Sequence, residues 1–208
     1  CHSIAASSSL EDTFDRAKGN AWFQLYVGAS LEKALGHVKR AQDTGYEVLI
    51  LTVDVPQVAQ RIRDLRNGFK VPFRIGFRQF LDFAKHPSWV LETLLAGVPK
   101  TANYDGKNSG TRRGKDSNSF IREETRGKVD WNFLQKLREK WMGKLIVKGV
   151  LAPQDALRIK ETGADAIYVS NHGGRQLDSA PPAVTRLPLI REALGNDYPL
   201  IFDSGIRN

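Results

Sequence analysis

The stretch Ser170-Asn171-His172-Gly173-Gly174-Arg175-Gln176-Leu177-Asp178 sets an imidazole and a guanidinium three residues apart, with two glycines between them. An imidazole takes or gives a proton near neutral pH, and a guanidinium grips a carboxylate through forked hydrogen bonds. Glycine lets backbone approach a ligand closely. Together these residues suit proton transfer on a small anionic substrate. The apolar run Ala166-Ile167-Tyr168-Val169 just before them reads as a buried strand, so the chemistry stands at a strand end.

Other polar residues occupy similar places. Gln24 and Tyr26 lie within or near the end of the run 22–27, and Thr52 and Asp54 end the next. Lys148 ends a third, and Asp203 follows a fifth. Asp54 is a candidate partner for His172, because a nearby carboxylate orients an imidazole and steadies its protonated form. Arg175 and Arg61 can hold a carboxylate, and Tyr26 can add a hydrogen bond. Lys148, alone on an apolar strand, can stabilise negative charge on a bound cofactor. His2, His37 and His86 have no motif around them and read as surface or loop residues. Trp22, Trp89, Trp131 and Trp141 read as core or packing residues, and no metal ligands are assigned.

The elements that must position these groups are legible from hydropathy. Runs of strand length cover 22–27, 48–53, 144–148, 166–169 and 200–202, with a shorter candidate around 3–6. Amphipathic stretches lie between them, at about 30–44, around 133–141, from Pro153 to Gly163 and at 183–194. Continuous apolar strands alternating with helices predict parallel β-structure covered by helices. Periodicity alone does not separate an open sheet from a closed barrel. Five polar strand ends favour a (β/α)₈ barrel, whose C-terminal strand ends converge on one mouth. The stretch from Arg61 to Asp130 breaks the rhythm and is too long for an ordinary connection. Helical patches at 77–83 and 89–95 fall within it, and it is expected to lie over the mouth as a lid or an interaction arm.

The chain of 208 residues has the composition of a soluble globular protein and carries a net charge of +8. No apolar run approaches the roughly 20 residues that cross a bilayer, and no secretory signal is visible. Cys1 is the single cysteine, so an intrachain disulfide is excluded. Much of the positive charge lies between Lys107 and Lys128 and reads as a solvated loop, with membrane or polyanion contact as the alternative. The chain opens on Cys1, has Met142 as its single methionine and stops just past a strand-like run. It is therefore expected to be an internal piece of a longer protein.

The chain resembles the FMN-dependent 2-hydroxy-acid oxidising enzymes, a family that includes glycolate oxidase, L-lactate dehydrogenase and mandelate dehydrogenase. The matching segments are 23–27, 51–54, 145–149, 170–178 and 203–207, in family order. The resemblance implies a TIM barrel, FMN as cofactor and oxidation of an (S)-2-hydroxy acid to the 2-oxo acid. It makes His172 the base, Asp54 its charge partner, and Arg175 and Tyr26 contacts to substrate carboxylate and hydroxyl, with Arg61 a second arginine at the mouth. It sets Lys148 beside the flavin N1–C2=O edge. Ser3, Gln24, Thr52 and Ser170 become contacts to the ring or ribityl chain, and Gly173 a point of close backbone approach. Asp203 becomes a ribityl contact, and Gly205 and Arg207 part of the phosphate site.

Other implications are coarser. Ala5 stands where glycolate oxidases carry a tryptophan, which favours a bulkier acid such as mandelate over glycolate. The electron acceptor is oxygen, a quinone or a cytochrome. A homotetramer is expected, cytoplasmic and peripheral to the inner face of a membrane, with no nucleic-acid partner. The family carries strands before and after these segments. Residues 1–208 are thus expected to form one incomplete barrel domain lacking the first and last strands, with a mobile excursion at about 62–129. Such a piece alone is expected to bind FMN poorly, if it folds. The competing reading is a non-catalytic flavin- or phosphate-binding barrel piece, or a docking module acting through the loop 107–128.

Overall fold

The computed structural model describes residues 1–28, 30–55, 62–68, 75–97, 101–104 and 129–206. Six parallel strands form one sheet: β1 (His2–Ser3), β2 (Phe23–Tyr26), β3 (Val48–Thr52), β4 (Lys144–Val150), β5 (Ala166–Val169) and β6 (Leu200–Phe202). They pair in chain order, each with the next, and every pairing is parallel. A doubly wound sheet reverses strand order at a switch point, whereas a barrel does not.

The two faces of the sheet settle the architecture. On one face Phe23, Leu25, Leu49, Leu51, Leu145, Val147, Ile167 and Val169 are buried in a core shared with helix residues. The other face carries a smaller cluster made of strand residues alone: Ile50, Ile146 and Ala166, with Val48, Tyr168 and Ile201 against it. Helices thus cover one side, and the other is lined by strand side chains, as in the interior of a (β/α)₈ barrel. The chain builds a six-stranded portion of that barrel.

The helices start where the sequence supplies caps. Helix α1 (Leu10–Arg16) is capped by Ser9, whose hydroxyl accepts from the Asp12 N–H at 3.1 Å. Helix α2 (Leu31–Thr44) is capped by Ser30 and closes at Gly45, whose φ of 106° favours glycine. Short helix α3 (Ile62–Arg66) precedes the expected pair α4 (Phe77–Ala84) and α5 (Pro87–Ala96). Asp130 caps α6 (Trp131–Lys140), accepting from the Phe133 N–H at 2.7 Å. Pro153 opens α7 (Pro153–Glu161), and α8 (Ala183–Leu194) closes at Gly195.

Several packing expectations are corrected. His2 is buried on β1, with Nε2 3.0 Å from Asn103 Nδ2. Asn103 also donates to the Ile4 and Ser8 carbonyls and accepts from the Leu10 N–H at 2.9 Å, so it ties residues 101–104 to β1 and α1. His37 lies on α2, edge-on to Tyr104, while His86 is an exposed cap of α5. Trp141 is fully buried and Trp131 packs against the core, but Trp22 and Trp89 are exposed. Helix α1 went unread because its seven residues carry too few apolar positions for a periodic signal.

Asp165 clamps α6 to β4. Its carboxylate accepts from Arg138 at 3.0 Å, Lys144 at 2.8 Å and the Leu145 N–H at 2.9 Å. Burial pushes its pKa up, but the Lys144 and Leu145 bonds and the two cations outweigh this and hold it below the usual carboxylate range. A depressed folded-state pKa gives stability above the unfolded value and loses it as pH falls through the folded one. Asp165→Asn should therefore cost about 1–2 kcal/mol at pH 7, discounted for the exposed Lys144. Thermal unfolding at pH 7 and below pH 4 checks this, and the difference between wild type and variant should shrink at the acid end.

Candidate active site

Parallel pairing lays a row of side chains across the sheet at the C-terminal strand ends. Tyr26 is in register with Thr52, Thr52 with Lys148, Lys148 with Tyr168 and Tyr168 with Ile201. Residues two apart share a strand face, so Gln24 joins this face on β2, and its amide donates to Thr52 Oγ1 at 2.5 Å. Ser170 continues the alternation of Ala166 and Tyr168 past the end of β5.

His172 stands above this row. Its Nδ1 lies 3.0 Å from Asp54 Oδ1, with the two side chains 17% and 12% exposed. A carboxylate can only accept, so Nδ1–H donates and Nε2 is the nitrogen left to take a proton. The Tyr26 ring flanks His172 with centroids 6.3 Å apart. Asp54 Oδ2 is buried and has no hydrogen-bond partner among the described residues.

Asp54 follows β3 and His172 follows β5, so their bond must pass the end of β4. Gly149 makes that possible. The register slips between Lys148 and Val150, leaving Gly149 as the extra residue of a bulge. Its φ is +102°, and a Cβ there would sit 2.5 Å from Asp54 Cβ and 2.7 Å from its Cγ. No motif spacing marks this role; only the bulge reveals it.

The His172 loop is held from β6. His172, Gly173 and Gly174 have φ of 57°, 65° and 68°, so the chain is left-handed through three residues. Nothing lies within 4 Å of a Cβ at Gly174, so this glycine serves conformation rather than close packing. Ser204 Oγ accepts from the Asn171 and Gly173 N–H groups, each at 3.1 Å, and donates to Asp203 Oδ1 at 2.9 Å. Lys148 Nζ donates to Asp203 Oδ2 and, at 2.9 Å, to Ser170 Oγ, which also accepts from the His172 N–H at 3.1 Å. A closed ring of hydrogen bonds therefore links the His172 backbone to the Lys148–Asp203 pair. Burial raises the Asp203 pKa, and the bonds from Lys148, Ser170 and Ser204 more than reverse it, holding the carboxyl below its usual range. Lys148 does not snorkel to solvent; its side chain is 14% exposed.

The structure thus brings together His172, Asp54, Tyr26, Lys148, Ser170 and Asp203, with Gln24 and Thr52 in the same row. Other expected residues are less engaged. Ser3 is in register with Gln24, but its hydroxyl accepts only the local Ala5 N–H at 3.3 Å among the bonds seen. Arg175 and Gly205 are exposed, and Gly205 has φ of 86°. Arg61 and Arg207 lie outside the described residues. Ser204 and Gly149 are the positioning residues that the sequence did not disclose.

The donor set suits a flavin. An ammonium, an amide and two hydroxyls line one row, which matches a ring edge rich in carbonyl and ring nitrogen acceptors and one that gains negative charge on reduction. The fold and site define a parallel (β/α) barrel portion with a flavin-compatible mouth. A family model for FMN-dependent dehydrogenases matches residues 1–208, and the chain belongs to that family. It is 37% identical over 206 residues to (S)-mandelate dehydrogenase of Pseudomonas putida, covering 99% of this chain and 51% of the relative. It is 36% identical over 203 residues to L-lactate dehydrogenase of Acinetobacter baylyi, covering 96% and 52%. The crystal structure of the monotopic membrane protein (S)-mandelate dehydrogenase superimposes with a TM-score of 0.89 at 37% identity, over 99% of this chain and 54% of that one. A mandelate oxidase structure with (S)-2-phenylpropionate gives 0.71 at 31% identity. The chain spans about half the length of the relatives it matches.

The Gly149 argument is testable without substrate. Gly149→Ala must displace Asp54 and free the His172 ring. The variant should melt several degrees lower, and diethyl pyrocarbonate should acylate His172 severalfold faster, read by peptide mass spectrometry. An unchanged acylation rate would detach Gly149 from the pair.

Proposed function

We propose that the whole protein oxidises a 2-hydroxy acid to the 2-oxo acid with FMN. The His172 Nδ1–Asp54 Oδ1 bond beside Tyr26 and above the Lys148 row carries this reading. Bound FMN would accept the electrons that leave the substrate carbon. Gln24, Thr52, Lys148, Ser170 and Asp203 are the residues that would hold it, with Ser3, Gly173, Gly205 and Arg207 completing the contacts. Arg175 and Arg61 would take the substrate carboxylate, and Tyr26 its hydroxyl. His172 Nε2 takes the substrate proton, while Asp54 holds the ring and compensates the charge that forms on it. Lys148 offsets negative charge at the ring edge. The small Ala5 favours a bulky acid of the mandelate class over glycolate, and the relatives' names include both mandelate and lactate dehydrogenases.

General-base assistance contributes about 10²–10⁴-fold. In the natural full-length protein, His172→Gln should lower turnover of mandelate or lactate by that factor while FMN absorbance per protein is kept. A wild type that binds FMN and oxidises neither acid would favour the non-catalytic flavin-binding reading.

A second reading concerns the membrane and is favoured by α4 and α5. Phe77 is 79% exposed and Leu95 80%, and Phe80, Trp89, Leu91 and Leu94 are also open to solvent. The two helices pack on each other through Phe83 and Trp89, whose ring centroids are 5.4 Å apart. No helix among the described residues is long and apolar enough to cross a membrane. We infer that the pair lies in the plane of an anionic bilayer surface, apolar side down, with Arg78 and Lys85 near the headgroups. The basic stretch Lys107–Lys128, to which docking was first ascribed, lies outside the described residues. Replacing Phe77, Phe80, Leu94 and Leu95 with serine should abolish co-sedimentation with phosphatidylglycerol vesicles and leave turnover of a soluble substrate within twofold. Persistent sedimentation would return the role to the basic stretch.

A further inference from the structure

Tyr168 belongs to none of the motif positions, yet it is the cross-strand neighbour of Lys148. The Lys148 ammonium sits 4.0 Å from the centroid of the Tyr168 ring. The ring belongs to the inner apolar cluster with Ile50 and Ile146, so its lower side is packed by strand residues. Burial first, and the Asp203 carboxylate second, push the phenol pKa above its usual value, so the ring is neutral at neutral pH.

This arrangement gives Lys148 three supports of different kinds. Asp203 neutralises its charge, Ser170 accepts a hydrogen bond, and the Tyr168 ring attracts the cation without cancelling it. A carboxylate alone would draw the ammonium to itself and spend its field there. A ring face holds the cation in place and leaves its charge available to a third partner.

We propose that Tyr168 is a positioning residue that holds the Lys148 ammonium against the flavin edge and thereby raises the reduction potential of bound FMN. This rests on the reading of Lys148 as a flavin-facing cation. Losing the cation–π contact should shift the reduction equilibrium roughly tenfold, which for a two-electron couple is about 30 mV.

The test is spectroelectrochemical titration of FMN bound to the natural full-length protein. Tyr168→Leu should lower the midpoint potential by that tenfold equivalent, while Tyr168→Phe, which keeps the ring, should change the equilibrium less than threefold. If Tyr168→Leu fails to fold, mono- to trifluorinated phenylalanines at 168 weaken the ring face stepwise with little change in volume. The potential should then fall in step with fluorination. Lys148→Met is the reference. If it leaves the potential unchanged, the reading of Lys148 fails and the inference with it. If Lys148→Met lowers the potential while the leucine variant or the fluorinated series does not, Tyr168 alone loses its role.

Discussion

The site depends on one bond between strands that do not touch. Asp54 extends from β3 and His172 from β5, and β4 runs between them. In a parallel sheet neighbouring strands are about 4.8 Å apart, so the pair must reach over a strand. A side chain on β4 at that level would block the way. The bulge and the missing Cβ at Gly149 open it, and the carboxylate lies in the space released. An imidazole held this way has one nitrogen committed and one free, which is the condition for a directional base.

The second constraint is electrostatic. A lysine and two aspartates stand within a few residues of a buried apolar layer, where unpaired charge is costly. The hydrogen-bonded ring through Ser170 and Ser204 spreads that cost over several dipoles. It also makes the left-handed His172 loop depend on β6, because Ser204 accepts from the amides on both sides of His172. Ser204 itself has φ of 84°, uncommon for a residue with a side chain. That strain persists because three hydrogen bonds fix the hydroxyl. His172 and Lys148 are thus positioned by one network, and neither can shift alone.

The strands, the helices α2, α4, α5, α6, α7 and α8, and the inner row were legible because burial imposes period on sequence. Strands buried on both faces are continuous apolar runs, and the polar residues Thr52, Asp54, Lys148, Ser170 and Asp203 at or past their C-terminal ends lie at one end of the sheet. The five polar strand ends already favoured the barrel over an open sheet, and helices covering one face alone bear this out. His2 was misread because a lone histidine carries no periodic signal, and its burial comes from Asn103, about a hundred residues away. Gly149 and Ser204 were invisible for a related reason. Their roles lie in a backbone angle and in bonds to another strand, and neither leaves a local pattern. Trp22 and Trp89 show the converse error, in which size suggested burial and position denied it.

How firmly each expected residue is engaged follows its place in the sheet. Thr52, Lys148 and Ser170 stand on or beside inner strands and bond to other elements, Thr52 to Gln24 on β2 and Lys148 to Ser170 and Asp203. Ser3 lies on β1, which among the described residues pairs with β2 alone, and its hydroxyl makes a local bond. Gly205 follows β6, which pairs with β5 alone among the described residues, and meets nothing within 4 Å of its Cβ position. Polar side chains in a barrel mouth are held by partners across the sheet, and Asp203 and Ser204, past the edge strand β6, bond inward to Lys148 and the His172 loop. The His172–Asp54 pair and Lys148 lie in the middle of the sheet, where the fold is determined by contacts within these residues.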